Sequence, residues 1–162
     1  MEIRQRVRDV VIENGWALLK INGVPDRPGV AARIFGAIAE AGIAVDLILQ
    51  NAGVQRMTDI SFTVRQAQLA PAEQTLRSLI AEVGAAGIVA HPDLAKVQLV
   101  GTGILSDPAY VGGMFRALAD AGVNILAIGT SEIRISCLVA HADKEKAGAA
   151  LHAAFRVAAP AT

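Results

Sequence analysis

Apolar positions along the chain follow two rhythms, and the order of those rhythms occurs twice. Ala17 to Val24 and Lys96 to Ile104 alternate apolar and polar residues, the period of a half-buried strand. Each run meets a turn, built from Pro25, Asp26, Pro28 and Gly29 in the first case and Ser106, Asp107 and Pro108 in the second. A helical rhythm follows. Val30, Ile34 and Ile38, with Ala31 and Phe35 beside them, share one face. Tyr110, Met114 and Leu118, with Val111 and Phe115, repeat that face. Gly42 and Gly122 stand where a helix end wants a left-handed residue. Asp26 and Ser106 are expected to cap the helices or form the turns, and Pro near the first helical position suits its fixed φ.

The period-two rhythm then returns. Strands are expected over Ile43 to Gln50 and Val123 to Gly129, with hairpin partners at Asp59 to Val64 and Ile133 to Ala140. A second helix runs from Pro71 to Val83 on Leu76, Leu79, Ile80 and Val83. Its counterpart runs from Asp143 to Phe155 on Ala147, Leu151 and Ala154 or Phe155. Ala86 to His91 adds a short last strand, so the first copy reads βαββαβ.

The copies align directly. IFGAIAEAGIAV ends at Val45 and MFRALADAGVNI at Ile125, 80 residues apart, and the same offset pairs Gly23 with Gly103 and Phe35 with Phe115. Ile60-Ser61 matches Ile135-Ser136 at an offset of 75, so the first hairpin loop is five residues longer. The second copy lacks its last strand. Only RVAAPAT follows Phe155, whereas Gln5 to Ile12 forms an unassigned strand with Val7, Val10 and Val11. An empty sheet edge leaves backbone groups unpaired, so the N-terminal segment is expected to fill that place. The expected fold is α+β: two interlocked ferredoxin-like βαββαβ modules, with helices on one face of antiparallel sheets. The first module spans 15–92. The second spans 93–162 and is completed by the N-terminal strand within 1–14.

Composition narrows the function classes. The chain has 162 residues, 53% hydrophobic and 19% charged, enough apolar material for one domain or two small ones. Its 15 basic and 15 acidic residues give no surplus to draw it to nucleic acid or an anionic membrane. No apolar run approaches the ~20 residues of a spanning helix, and the charged N-terminus lacks the pattern of a signal peptide. A cytoplasmic location is expected. His91, His141 and His152 fit no metal-ligand spacing. Cys137, inside an apolar strand, reads as a core residue. Gly101-Thr102-Gly103 lacks the third glycine and the long βαβ context of a dinucleotide loop. No catalytic or metal-binding residues are assigned.

The first strand-to-helix turn is chemically different. Asp26, Arg27, Pro28, Gly29 and Val30 set a carboxylate beside the amides of a helix start. Those amides and the positive dipole end suit a carboxylate, and Asp26 suits an ammonium. Together they are the two halves of amino-acid recognition. The plain alternative is that Asp26 only caps the turn.

GVPDRPGVAARIF, EAGIAVDLILQN and TDISFTV, followed by a second copy ending GVNI–AI–TSEIRIS, resemble the regulatory region of bacterial aspartate kinase, which carries tandem ACT modules. The resemblance covers nearly the whole chain. It implies a feedback-sensing part of an enzyme that phosphorylates the β-carboxylate of aspartate on the route to lysine, threonine and methionine. It also implies that threonine, lysine or both bind at module interfaces and inhibit the kinase domain. Asp26, Gly29, Val30, Ala31 and Gln50 match the family's effector site in the first module, with Asn124 and Ile125 on the facing strand of a second module. Ser61, Thr130, Ser131 and Glu132 match positions at an interface or second effector site. Ala109 replaces the glycine usual in the second turn, which weakens the case for a pocket there. The loop from Ala52 to Met57 departs too far to carry contacts across.

The resemblance implies no cofactor in this chain; ATP and magnesium belong to a kinase domain for which it has no room. The implied partners are a second copy of the chain, the aspartate kinase catalytic subunit, or both. A separate small subunit and an excised piece of the full enzyme both fit. The competing class is a free-standing ACT pair controlling another enzyme or a transcription factor.

Overall fold

The computed structural model describes residues 6–157. Gln5, at the head of the expected first strand, and the ends of the expected second module lie outside them. The elements run in the order β1 (Asp9–Pro25), α1 (Val30–Glu40), β2 (Ile48–Gln50), β3 (Met57–Arg65), α2 (Leu69–Val83), β4 (Gly87–Val100), α3 (Pro108–Asp120), β5 (Ala127–Ser131), β6 (Arg134–Ala140) and α4 (Lys144–Phe155). Short 3-10 turns precede α2, α3 and α4.

The chain folds as two units. One is Gly15–Asp93; the other joins the N-terminal stretch up to Asn14 to the chain from Leu94 onward. β1 and β4 each contribute a part to both units. In the Gly15–Asp93 unit the strand order is β2-β3-β1-β4. β3 lies antiparallel to both β2 and β1, with Gln50 opposite Ile60 and Leu19 opposite Phe62. Alternate side chains of β1, Ala17, Leu19 and Ile21, meet Ile60, Phe62 and Val64 of β3 under α1 and α2. Val30, Ile34 and Ile38 supply the α1 face, and Ala72, Leu76 and Val83 the α2 face. Phe35 meets Phe62 edge to face, with ring centroids 5.4 Å apart.

In the other unit the order is β1-β4-β6-β5, the same ferredoxin-like arrangement. Here the N-terminal part of β1 supplies the edge strand. The Arg8 amide donates to the Val100 carbonyl at 2.8 Å, and Val7 and Val10 are buried with Val97, Leu99, Ile135, Cys137, Met114, Leu118 and Leu151. The opposite face of β4 is polar yet covered. Lys96 and Gln98 are buried, and Glu13 answers both: Lys96 Nζ lies 3.4 Å from Glu13 Oε2, and Gln98 Nε2 donates to Glu13 Oε1 at 3.1 Å. Arg134 and Ser136 each donate to Gln98 Oε1 at 3.2 Å, so the buried amide is paired on both ends.

Several elements differ from the expected ones. The two N-terminal strands are one strand, β1, and the short strand at Ala86 to His91 is continuous with the next as β4. Gly15 and Asp93, both at positive φ, let the chain turn within these strands without ending them. β2 is much shorter than Ile43 to Gln50. Ile43 is drawn back to the helix, its amide donating to the Ile38 carbonyl, and the Leu47 amide is taken by Thr63 Oγ1. In the second copy the expected strand at Val123 to Gly129 is shifted to Ala127–Ser131 for the matching reason, the Val123 amide being held by the Leu118 carbonyl. Neither expected cap caps a helix. Gly29 occupies the N-cap position of α1 with no side-chain bond, and Asp107, not Ser106, caps α3 by accepting the Ala109 amide at 3.0 Å. Ile80 of α2 is only partly buried, and Ala72 takes the inward place.

Candidate functional site

β1 delivers the chain to the first turn through a local irregularity. Its pairing with β3 shifts between Ile21 and Val24, and Gly23 sits there at φ 60°. A side chain at Gly23 would bring its Cβ to 2.9 Å from the Ala86 Cβ, so the position needs glycine for space as well as for φ. The Gly23 amide donates to Asp59 Oδ1 at 3.0 Å, and Lys20 Nζ lies 3.1 Å from Asp59 Oδ2. The Gly23 amide and then the Lys20 ammonium hold the Asp59 carboxyl below its ordinary pKa.

Beyond Pro25 the turn is held by the β2–β3 loop, where the Asp26 amide donates to the Arg56 carbonyl at 2.7 Å. Gly29, at φ 94°, then opens α1. The helix starts with no side-chain cap, and the Val30 amide reaches only the Arg27 carbonyl, at 3.5 Å; a cleft of about 290 Å³ lies beside this first turn. Arg27, Pro28, Gly29, Val30, Arg33, Glu82 and Val83 line it. Arg33 and Glu82 form a two-point pair across it, Nε to Oε1 at 2.7 Å and Nη2 to Oε2 at 2.9 Å. Each holds the other charged: Arg33 titrates above and Glu82 below its ordinary value, chiefly through their mutual hydrogen bonds.

Of the residues named from sequence, Gly29 and Val30 line this cleft and Ala31 follows in the same first turn. Asp26 is exposed at the turn, and it is not in the cleft wall. Gln50 is exposed on edge strand β2, and Ser61 lies on β3 opposite Lys20 and Leu49. A second hollow, about 260 Å³, lies beside Gln50 along the β2–β3 loop, walled by Asn51, Gly53, Val54, Met57, Thr58 and Asp59. Thr58 Oγ1 donates to the Asn51 carbonyl inside it.

Asn124, Ile125, Thr130, Ser131 and Glu132 belong to the other unit. Asn124 is exposed just after α3, and Ile125 packs on that unit's core. Thr130 and Ser131 end β5, with Glu132 in the tight turn to β6. The second strand-to-helix turn is filled by the chain itself. Arg6 Nη1 donates to the Gly103 carbonyl and to Ser106 Oγ, both at 2.8 Å, and the Arg6 amide donates to the Tyr110 hydroxyl at 3.1 Å. With Asp107 also capping α3, this turn does not present the open helix start of the first. Sequence reasoning did not single out Arg33, Glu82, Lys20, Asp59 or Arg6. The first two carried a signal: opposite charges beside the apolar stripes of two helices on one core. Among the described residues, no group of three His, Cys, Asp or Glu side chains could hold a metal ion, and no helix is long and apolar enough to cross a membrane.

Gly29→Ala tests how far the open turn depends on backbone freedom. Nothing lies within 4 Å of an added Cβ, so the cost is conformational. A loss of about 1–2 kcal/mol is expected for a non-glycine residue held at this positive φ. Denaturant midpoints of the two proteins measure it; equal midpoints would mean that the turn relaxes freely.

Two βαββαβ units, one with an open strand-to-helix turn and one whose turn is filled by the chain itself, define a tandem ferredoxin-like fold. A family model described as ACT domain matches residues 21–79 and 97–155, and the chain belongs to the ACT-domain family. Within it, the chain is of the aspartate kinase regulatory type. It is 43% identical over 155 residues to an aspartate kinase of Pseudomonas fluorescens, covering 96% of this chain and 38% of that protein. The crystal structure of the regulatory subunit of aspartate kinase from Thermus flavus superposes with a TM-score of 0.87 at 39% identity, covering 93% of this chain and 99% of that one. A structure of aspartokinase alpha and beta subunits matches at 38% identity and a TM-score of 0.86, with 93% and 99% covered. The chain thus spans under two-fifths of the length of the curated aspartate kinases it resembles.

Proposed function

We propose that this chain is the feedback sensor of an aspartate kinase, and that it binds threonine in preference to lysine at its first strand-to-helix turn. The supporting observation is the uncapped start of α1 at Gly29, beside an exposed Asp26. The amides of Gly29 to Ala31 would take the amino acid's carboxylate and Asp26 its ammonium, a pairing both ends of a zwitterion need once water is excluded. Gln50 and Asn124 offer neutral polar partners, which suit a hydroxyl better than a second ammonium.

The proposed assembly is a twofold dimer, or a dimer within a complex with the kinase catalytic subunit, in which the first module of one chain meets the second module of its partner. A ligand held at such a seam binds the assembled form best and so strengthens it by the same coupling energy. Feedback inhibition is the consequence for the kinase domain, where ATP and magnesium would act. The cytoplasm is the proposed location.

Calorimetry with threonine and lysine on the wild type and on Asp26→Ala tests the reading, with sedimentation of the same samples reporting mass. Threonine should bind and favour the dimer. Asp26→Ala should weaken it about 10- to 100-fold, the span of one charge-assisted hydrogen bond. Undiminished binding in the variant would remove Asp26 from the site. A monomer that binds threonine without a change in mass would overturn the assembly.

A further inference from the structure

We infer that Asp59 is a positioning residue for the effector turn: it clamps the Gly23 bulge of β1 and so sets the path from Val24 to Gly29. The inference rests on the proposed effector reading of that turn. Three contacts carry it. Asp59 Oδ1 accepts the Gly23 amide at 3.0 Å. Its other oxygen meets Lys20 Nζ at 3.1 Å, which fixes the carboxylate plane against β1. Six residues separate β2 from β3, and Arg56, near the end of that loop, accepts the Asp26 amide at 2.7 Å. Gly23 has little room to shift, because the adjoining Asn22 carbonyl accepts the Ala86 amide at 2.8 Å and Ala86 Cβ closes the space beside it. The bulge is therefore held from both sides, by β3 through Asp59 and by Ala86, the residue just before β4.

The internal repeat supplies the comparison. Gly103 is the second copy's equivalent of Gly23 and has nearly the same φ, 71° against 60°. The residue in Asp59's place, by the 75-residue offset, is Arg134, which turns instead to Gln98. At Gly103 it is the carbonyl that is held, by Arg6 Nη1 at 2.8 Å and by Ser106 Oγ at 2.7 Å. One glycine geometry is thus fastened in two ways. The copy whose turn is filled by its own arginine has no acidic clamp from the hairpin. The copy whose turn is open has one, and the clamp ties the turn to the β2–β3 hairpin. A shift of the hairpin would move the turn, and an occupied turn would hold the hairpin.

The test uses the full chain with Asp59→Ala and Asp59→Asn, threonine and lysine as probes, and amide NMR of Gly23 and Asp26 without ligand. Asn keeps an oxygen acceptor for the Gly23 amide and loses the charge; Ala loses both. Asp59→Ala should move both amide resonances and weaken amino-acid binding about 10-fold. Asp59→Asn should restore the Gly23 resonance and bring affinity to within about threefold of wild type, a rescue that a general loss of stability would not give. Unmoved amides in Asp59→Ala overturn the clamp. Moved amides with unchanged affinity, or an Asn variant as weak as Ala, overturn its positioning role. A wild type that binds neither amino acid overturns the effector reading, and the positioning role with it, while the amides still report whether the clamp forms.

Discussion

Deleting the chain through Ile12 is expected to destabilise the unit that contains Cys137, far from the cut in sequence, by about 3–6 kcal/mol. The deletion removes Val7 and Val10, both buried in that unit's core, and full burial of such a side chain is worth about 1.5–3 kcal/mol. It also bares the edge of β4, where Arg8 now donates to Val100, and it takes away the arginine that fills the turn before α3. Against a typical total of about 5–15 kcal/mol, such a loss is large enough to unfold the unit in part. Gly101→Ala approaches the same point more gently. Its Cβ would clash with the Arg6 carbonyl oxygen, so the N-terminal segment must move away. Hydrogen exchange should quicken along β4 and from Ile135 to Val139 in both variants. Unchanged exchange there in a folded truncation would show that the segment is not part of this unit's sheet.

The repeated helix faces were legible because each is decided by local spacing. Val30, Ile34 and Ile38 point inward, and Gly42 and Gly122 take the left-handed conformation that ends a helix. The place of the N-terminal segment was legible because two copies could be compared, and an interlocked fold follows from pairing it with β4. The continuity of the strands was not. Gly15 and Asp93 are turn formers by type, and only pairing on both sides of each keeps β1 and β4 unbroken through them. The length of β2 also escaped local reasoning, since Thr63, sixteen residues away, takes the Leu47 amide that a longer ladder would use. The covered polar face of β4 left a trace in the alternation of Lys96 and Gln98 with Val97 and Leu99, but its partner Glu13 comes from the opposite end of the chain.

The first turn could be read for its chemistry because its residues are contiguous. What holds it could not. Asp59 reaches Gly23 from 36 positions away, and Glu82 reaches Arg33 from 49. Nor does the repeat alone reveal the asymmetry of the two turns. The resemblance implied a poorer second turn, through Ala109; the structure places the Arg6 side chain in that turn. A side chain lying outside the repeat occupies the place that the repeat leaves open elsewhere.

Cys137 should react with an alkylating reagent about a thousandfold more slowly in the native chain than an exposed cysteine. Its side chain lies in the middle of β6 within the apolar core, and burial pushes the thiol from 9.0 up to about 12, which cuts the reactive thiolate about a thousandfold at neutral pH. Steric closure slows the reaction further, so labelling should follow opening of the unit and rise steeply across its urea transition. The same shift has a signed consequence for stability. Between the unfolded and folded thiol pKa values the unfolded chain has released a proton that the native chain still binds. Stability therefore falls as pH rises through that window, by about 1.4 kcal/mol per pH unit from this group. Below the ordinary thiol range both states are protonated and the contribution is absent. The measurement is the difference in slope between wild type and Cys137→Ala, which reads this group's contribution alone. The variant starts lower, because it leaves a small cavity, but it should lose stability less steeply above pH 9. Parallel slopes, or full labelling of the folded wild type within minutes at pH 7, would place the sulfur at the surface and contradict the packing of β6 against α3 and α4.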